Sequence, residues 1–179
     1  EDTLSLHDAL PILPAREDMP MPARPSKEDK DGWKGWRKMA FAIHERNRVN
    51  KSAKLSTVQQ LWIAGKYREK RTIYYPAFLD FRGRQYNIPS FLAPQGDNRS
   101  RGILQFSKAK PIDTAEHERW LAIHGANCWG EDKSSFDTRL EWVENNSRQI
   151  AAVADDPLGC RWWGEADKPW EFLAWCLEW

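Results

Sequence analysis

The first apolar positions to recur with a regular period are Trp33, Trp36, Ala40 and Ile43, whose three- and four-residue steps predict a helix from about Gly32 to Asn47. Ser56 or Thr57 can cap a second helix that carries Val58, Leu61 and Trp62 on one face and fades near Gly65 to Lys70. Beyond Arg71 the rhythm changes. "TIYYPAF" is β-prone, with Pro76 confining it to an edge or a break, and "RQYNI" and "GILQFSKAKPI" also read as strands joined by the turn-rich "APQGDNRSRG". Helical spacing then returns. Asp113 or Thr114 caps a helix reaching about Cys128, with Glu116 and Glu118 in its first turn. Ser134 or Ser135 opens a longer helix with Leu140, Val143, Ile150 and Ala154 inward, "DPLGCRWWGEADKP" is a loop, and a last helix starts near Pro169.

This order of helices, a few strands and helices again predicts an α+β fold, mainly helical with a small antiparallel sheet. Residues 13–32 are rich in proline and charge, and read as a linker or disordered tail. Residues 1–12, "EDTLSLHDALPI", resemble translated sequencing-adapter DNA, and are expected to be foreign to the fold. The apolar "EFLAWCLEW" closing the chain adds the expectation of a truncated reading frame.

Composition narrows the picture only in places. With 41% hydrophobic and 30% charged residues over 179 positions, the body is globular and large enough for a core. The net charge of +1 gives no global pull on a polyanion, so electrostatics must come from local clusters. Eleven tryptophans, most in the second half, supply a core or a stacking surface. The three cysteines, Cys128, Cys160 and Cys176, form no C-x-x-C and fit buried thiols in a reducing compartment. No apolar run approaches a membrane span.

The candidate chemistry is concentrated in "YYPAFLDFRGRQYNIPSF". Asp80, Arg82 and Arg84 surround Gly83, where a glycine permits backbone that bulky residues resist. Read as strand, the three share parity. Two guanidinium forks on one face suit phosphate oxygens, with Asp80 holding one of them in place. The same residues also fit an Asp–Arg salt bridge that closes a turn. Arg46, Arg48, Lys51 and Lys54 form a basic run that suits non-specific phosphate contacts, or equally a solvated helix end. Arg99 and Arg101 carry the same two readings. His117, His124 and Cys128 fall near one helical face but lack a fourth metal ligand of suitable spacing. Trp162 and Trp163 suit base stacking or a core. The acidic pairs Glu131–Asp132, Asp155–Asp156 and Glu165–Asp167 read as solvated or capping, and there is no Walker-type loop and no G-x-S-x-G.

Several ordered motifs resemble one family. "DFRGRQY" (Asp80 to Tyr86) matches D-[WF]-R-G-R-x-Y. It is followed by "PQG" (Pro94 to Gly96), "AKPI" (Ala109 to Ile112), "WLAIHGAN" (Trp120 to Asn127) and the W-W tail "RWWGEADKPWEFLAWCLEW". From Trp33 to Trp179 the chain resembles the single-subunit DNA-dependent RNA polymerases of T7-like phages and mitochondria. The resemblance implies a fragment of a right-hand fold, with residues 33–70 as thumb-like helices and 71–179 as the N-terminal part of the palm. It implies template-directed nucleotidyl transfer from NTPs to an RNA 3′ end, with the DNA template, the RNA transcript and NTPs as partners and a monomeric enzyme off the membrane. It gives the Arg46, Arg48, Lys51 and Lys54 run a phosphate partner in the RNA–DNA hybrid. Asp80, Arg82, Gly83, Arg84, Tyr86 and Arg101 become residues that hold or organise nucleic acid. Two Mg²⁺ ions belong to the full enzyme, on aspartates expected beyond Trp179, so no catalytic or metal residue is assigned and the fragment alone is expected to be inactive.

"DFRGR" and the W-W tail lean to the mitochondrial pattern, while "APQG" and "IHGANCWG" lean to phage. The corresponding locations are a mitochondrial matrix and the cytoplasm of an infected bacterium, the adapter-like start favouring the second. Two other readings are a non-catalytic nucleic-acid-binding module and a structural α+β domain with incidental arginines.

Overall fold

The computed structural model describes residues 18–179, so the adapter-like stretch 1–12 and the start of the expected linker lie outside the described residues. The chain divides into two compact units with the boundary between Gly65 and Lys66.

The first unit is built on one helix, α1 (Lys30–Tyr67), whose last two residues fall past the boundary. Two helices were expected here; one continuous helix of 38 residues is found. Neither proline nor glycine interrupts it between Trp36 and Ala64. Thr57, expected to cap a second helix, instead turns its hydroxyl back to donate to the Ala53 carbonyl at 2.8 Å. Residues 18–29 form no regular element but lie along α1. Asn47 clamps Met19, accepting its N–H at 2.8 Å and donating to its carbonyl at 3.0 Å. The indoles of Trp36 and Trp33 donate to the carbonyls of Pro22 and Ser26.

The second unit opens with a hairpin of β1 (Ala77–Leu79) and β2 (Gln85–Asn87), antiparallel, with Phe78 opposite Tyr86. The third expected strand is absent. Asp97 accepts the Ser100 N–H at 3.0 Å and starts the short helix α2 (Asn98–Ile103), which consumes the first residues of "GILQFSKAKPI". The chain then runs without regular structure to Thr114, which caps α3 (Ala115–Trp129). Ser135 caps α4 (Phe136–Asn145), and α5 (Ser147–Asp155) follows at once. One longer helix was expected for this pair. Asn146 ends the first of them: its backbone turns to φ −104° and ψ 8°, and its N–H is shared between the Trp142 and Val143 carbonyls at 3.1 and 3.3 Å, tightening the last turn, while its side-chain amide donates to the Trp142 carbonyl at 2.8 Å. A 3₁₀ turn (Arg161–Glu165) leads to α6 (Pro169–Glu178), with proline in its first turn as expected.

Helix α6 is the hub. It packs against α2, α3 and α5, and its Phe172, Trp175 and Cys176 are buried with Ala126, Cys128, Val143, Ile150 and Val153. Trp175 donates its indole N–H to the Leu121 carbonyl at 2.8 Å. Its ring lies so close to α3 that a Cβ on Gly125 would overlap it. Trp129 faces Trp162 at 4.3 Å between ring centres, and Trp163 is buried with its N–H on the Pro157 carbonyl. The tryptophan pair at 162–163 is therefore core.

Candidate nucleic-acid interface

A hairpin needs its ends brought together by a turn, and here that turn is the D-F-R-G-R motif. Asp80 N–H donates to the Arg84 carbonyl at 2.9 Å, and Gly83 N–H donates to the Asp80 carbonyl at 3.0 Å. Gly83 sits at φ +77°, in the left-handed region that a side chain disfavours, which is the glycine requirement of a three-residue loop with a bulge. Residues 80–84 are thus turn rather than strand, and the shared parity expected for Asp80, Arg82 and Arg84 does not apply.

What joins these residues is the Asp80 carboxylate. One oxygen accepts the backbone N–H groups of Arg82 at 2.8 Å and Arg84 at 2.9 Å. The other accepts Nε and Nη2 of the Arg82 guanidinium, both at 3.1 Å. The Arg84 backbone N–H does most to hold the Asp80 carboxyl below its ordinary value. The Arg82 backbone and side chain add to this, against an opposing contribution from burial. Asp80 spends both oxygens inside the loop, so it organises the turn. Arg82 keeps half its side chain in solvent, with its guanidinium 5.2 Å from the Phe81 ring centre. Arg84 is exposed, and among the described residues its guanidinium has no ion pair or hydrogen bond. Clamped and free arginines thus stand two residues apart.

Aromatic surface surrounds them. Phe81, at the tip, is 94% exposed, so it contributes nothing to a core. Tyr86 stacks across the strands on Phe78 at 5.8 Å. Gln95, from the P-Q-G motif, was not anticipated as part of this site. Its amide accepts the Asn87 N–H at 2.9 Å and donates to the Gln85 carbonyl at 2.8 Å, occupying the free edge of β2 as a neighbouring strand would. The sequence signal was a glutamine in a turn segment close to a strand.

The other expected cations are dispersed. Arg46 and Lys54 are exposed on α1 about 80° apart around the axis, whereas Arg48 lies about 200° from Arg46. Arg48 pairs with Glu45 at 2.6 Å, and Lys51 approaches Asp18 at 3.6 Å. Arg99 pairs with Asp97, and Arg101 with the mostly buried Glu171 of α6, both at 2.7 Å. Arg101 therefore ties α2 to α6. His117 pairs with Asp113 at 3.0 Å, while His124 lies 3.7 Å from the buried Cys128 thiol. Among the described residues no three His, Cys, Asp or Glu side chains are grouped to hold a metal ion.

A family model described as DNA-dependent RNA polymerase matches residues 111–179. T7 RNA polymerase of Escherichia phage T7 is 37% identical over 174 residues, covering 96% of this chain and 20% of the phage protein. The DNA-directed RNA polymerase of Enterobacteria phage T3 is 38% identical, covering 93% of this chain and 19% of that protein. The chloroplastic/mitochondrial DNA-directed RNA polymerase 2 of Arabidopsis thaliana is 38% identical, covering 91% and 16% respectively. The chain therefore spans about a fifth of the length of these relatives.

Proposed function

This chain is related over nearly its whole length to one segment of the T7-like single-subunit RNA polymerases, and from that premise we propose that it serves such an enzyme by holding nucleic acid. The reaction is template-directed nucleotidyl transfer. An RNA 3′-hydroxyl attacks the α-phosphate of an NTP, and pyrophosphate leaves. Bound Mg²⁺ supplies charge stabilisation to the attacking and leaving oxygens, and its ligands are assigned outside this chain's residues. DNA template, RNA transcript and NTPs are the partners of the whole enzyme, which acts as a monomer. Its location is the cytoplasm of a phage-infected bacterium or, alternatively, a mitochondrial matrix.

The observation that carries the reading is the D-F-R-G-R turn. Asp80 fixes its shape and leaves the Arg84 guanidinium unpaired. A rigid turn presents the exposed guanidinium from a fixed backbone, so binding a phosphate oxygen orders the side chain alone and breaks no existing ion pair. Arg82 has its Nε and Nη2 on Asp80 and presents the remaining edge of its fork. Contacts of this kind position a duplex without reading its sequence, as an enzyme that copies any template requires. A thumb-like role for residues 33–70, most of them in the single helix α1, and the start of a palm at 71–179 are the corresponding assignments, with Arg46 and Lys54 as further phosphate contacts on α1.

Titration of the chain with a labelled RNA–DNA hybrid at several salt concentrations tests this. Binding should weaken as salt rises, and Arg84→Ala should lower the slope of log K against log salt by about one. Binding that ignores salt and the Arg84 side chain sinks the proposal and favours a structural domain.

A further inference from the structure

A second cationic surface lies in the first unit, at residues to which the polymerase reading gave no nucleic-acid contact. Lys27, Lys30, Trp33, Lys34 and Arg37 line one open cavity of about 700 Å³. We propose that this cavity is a docking groove for single-stranded nucleic acid, its cations meeting phosphates and the Trp33 indole stacking on a base. The proposal rests on the nucleic-acid reading above, but uses different residues.

Spacing comes first. Lys30, Lys34 and Arg37 stand at i, i+4 and i+7 on α1, on one helical face, and span about 10 Å along its axis. That is the rise of roughly three stacked nucleotides. Among the described residues none of the four cations is paired with a carboxylate, in contrast to Arg48 and Lys51 further along the helix. The nearby acids are placed otherwise. Asp29 accepts the Gly32 N–H at 2.8 Å; Glu28 and Asp31 form no ion pair among the described residues, although Asp31, three residues before Lys34 and about 60° round the helix from it, lowers the local positive field. Cations at the start of a helix also oppose the macrodipole, so helix stability does not explain them.

The ring supplies the second observation. Trp33 donates its N–H to the Ser26 carbonyl at 2.9 Å and meets Trp36 edge-on at 5.4 Å. Both contacts fix the indole before a ligand arrives, while the ring remains part of the cavity wall. Fixed aromatic walls beside unpaired cations are the features by which single strands are held with little sequence preference.

The test uses the whole 179-residue chain and a labelled twelve-nucleotide oligo(dT), followed by fluorescence anisotropy across a salt series. The combined variant Lys30→Gln, Lys34→Gln and Arg37→Gln should bind at least tenfold more weakly, with a salt slope lower by about two. A control with Arg68, Lys70 and Arg71 changed to Gln, which alters net charge equally, should lose less. Trp33→Leu should weaken oligo(dT) binding more than binding of a blunt duplex. Circular dichroism confirms that each variant keeps its helices. Equal losses in the groove and control variants, or oligo(dT) displaced by ATP at matched phosphate concentration, would overturn the groove. So would unchanged binding by the groove variant in a chain whose hybrid binding still responds to Arg84→Ala, which leaves the wider reading standing. A chain that binds neither hybrid nor oligo(dT) contradicts both.

Discussion

At the scale of the residue, Asp80 is the informative position because its charge and its geometry predict opposite results. Removing an anion beside two arginines should raise affinity for a polyanion if charge alone mattered. The hydrogen bonds say otherwise, since both oxygens hold the turn that presents Arg82 and Arg84. Asp80→Ala is therefore expected to weaken hybrid binding, read by the same salt titration; stronger binding would show that the turn keeps its shape without the carboxylate. The lowered Asp80 pKa fixes the pH dependence. Its contribution to the folded turn is complete above the ordinary carboxylate value of 3.8 and disappears as pH falls through the depressed folded value. Asp80 should thus titrate below 3.8 by NMR in the native chain; an unshifted midpoint would mean the turn is open. The buried thiols give an independent check. Burial is the main cause that pushes Cys128 up to about 11 and Cys176 up to about 12. Both should resist a thiol reagent at pH 8 in the native chain and react once it is unfolded. Fast labelling of either without denaturant would place them outside a packed core.

At the scale of the element, the β1–β2 hairpin has two strands of three residues each, too little for independent stability, and Gln95 takes the place of a third. Gln95→Ala should speed exchange of the Asn87 amide roughly fivefold, the equivalent of about 1 kcal/mol for a lost hydrogen bond. Unaltered exchange would show that the edge is protected some other way. Packing of α3 on α6 gives a larger effect. Gly125→Ala drives a methyl into the Trp175 ring and should cost about 1–3 kcal/mol in denaturant melts. These elements also show what the sequence could reveal. Thr114, Ser135 and Pro169 declare their helices because capping and first-turn chemistry act within a few residues. The break at Asn146 and the continuity of α1 through Thr57 were hidden, since both side chains bond the carbonyl four residues back and only the backbone, which leaves helical geometry at Asn146, separates the two cases. Asp80 clamping Arg82 is local and was legible as one of two readings. The commitment of Arg101 to Glu171 was not, because that partner arrives only through tertiary packing.

At the scale of the whole molecule, large apolar side chains remain in solvent: Tyr74 is 88% exposed, Phe81 94% and Phe106 96%. The relatives are about five times as long as this chain, and further protein or nucleic acid is the proposed cover for such surface. With template, NTPs and Mg²⁺ the chain alone is expected to yield no RNA; templated product would overturn the assignment of catalytic ligands elsewhere. The central claim is that this segment holds nucleic acid rather than nucleotide. Its most direct test is the lifetime of a halted elongation complex of a single-subunit polymerase carrying this segment, measured with and without Arg84→Ala. The account predicts a complex that dissociates about tenfold faster, in line with one lost charge-assisted contact, with the NTP KM unchanged. An unchanged lifetime together with a raised KM would contradict it.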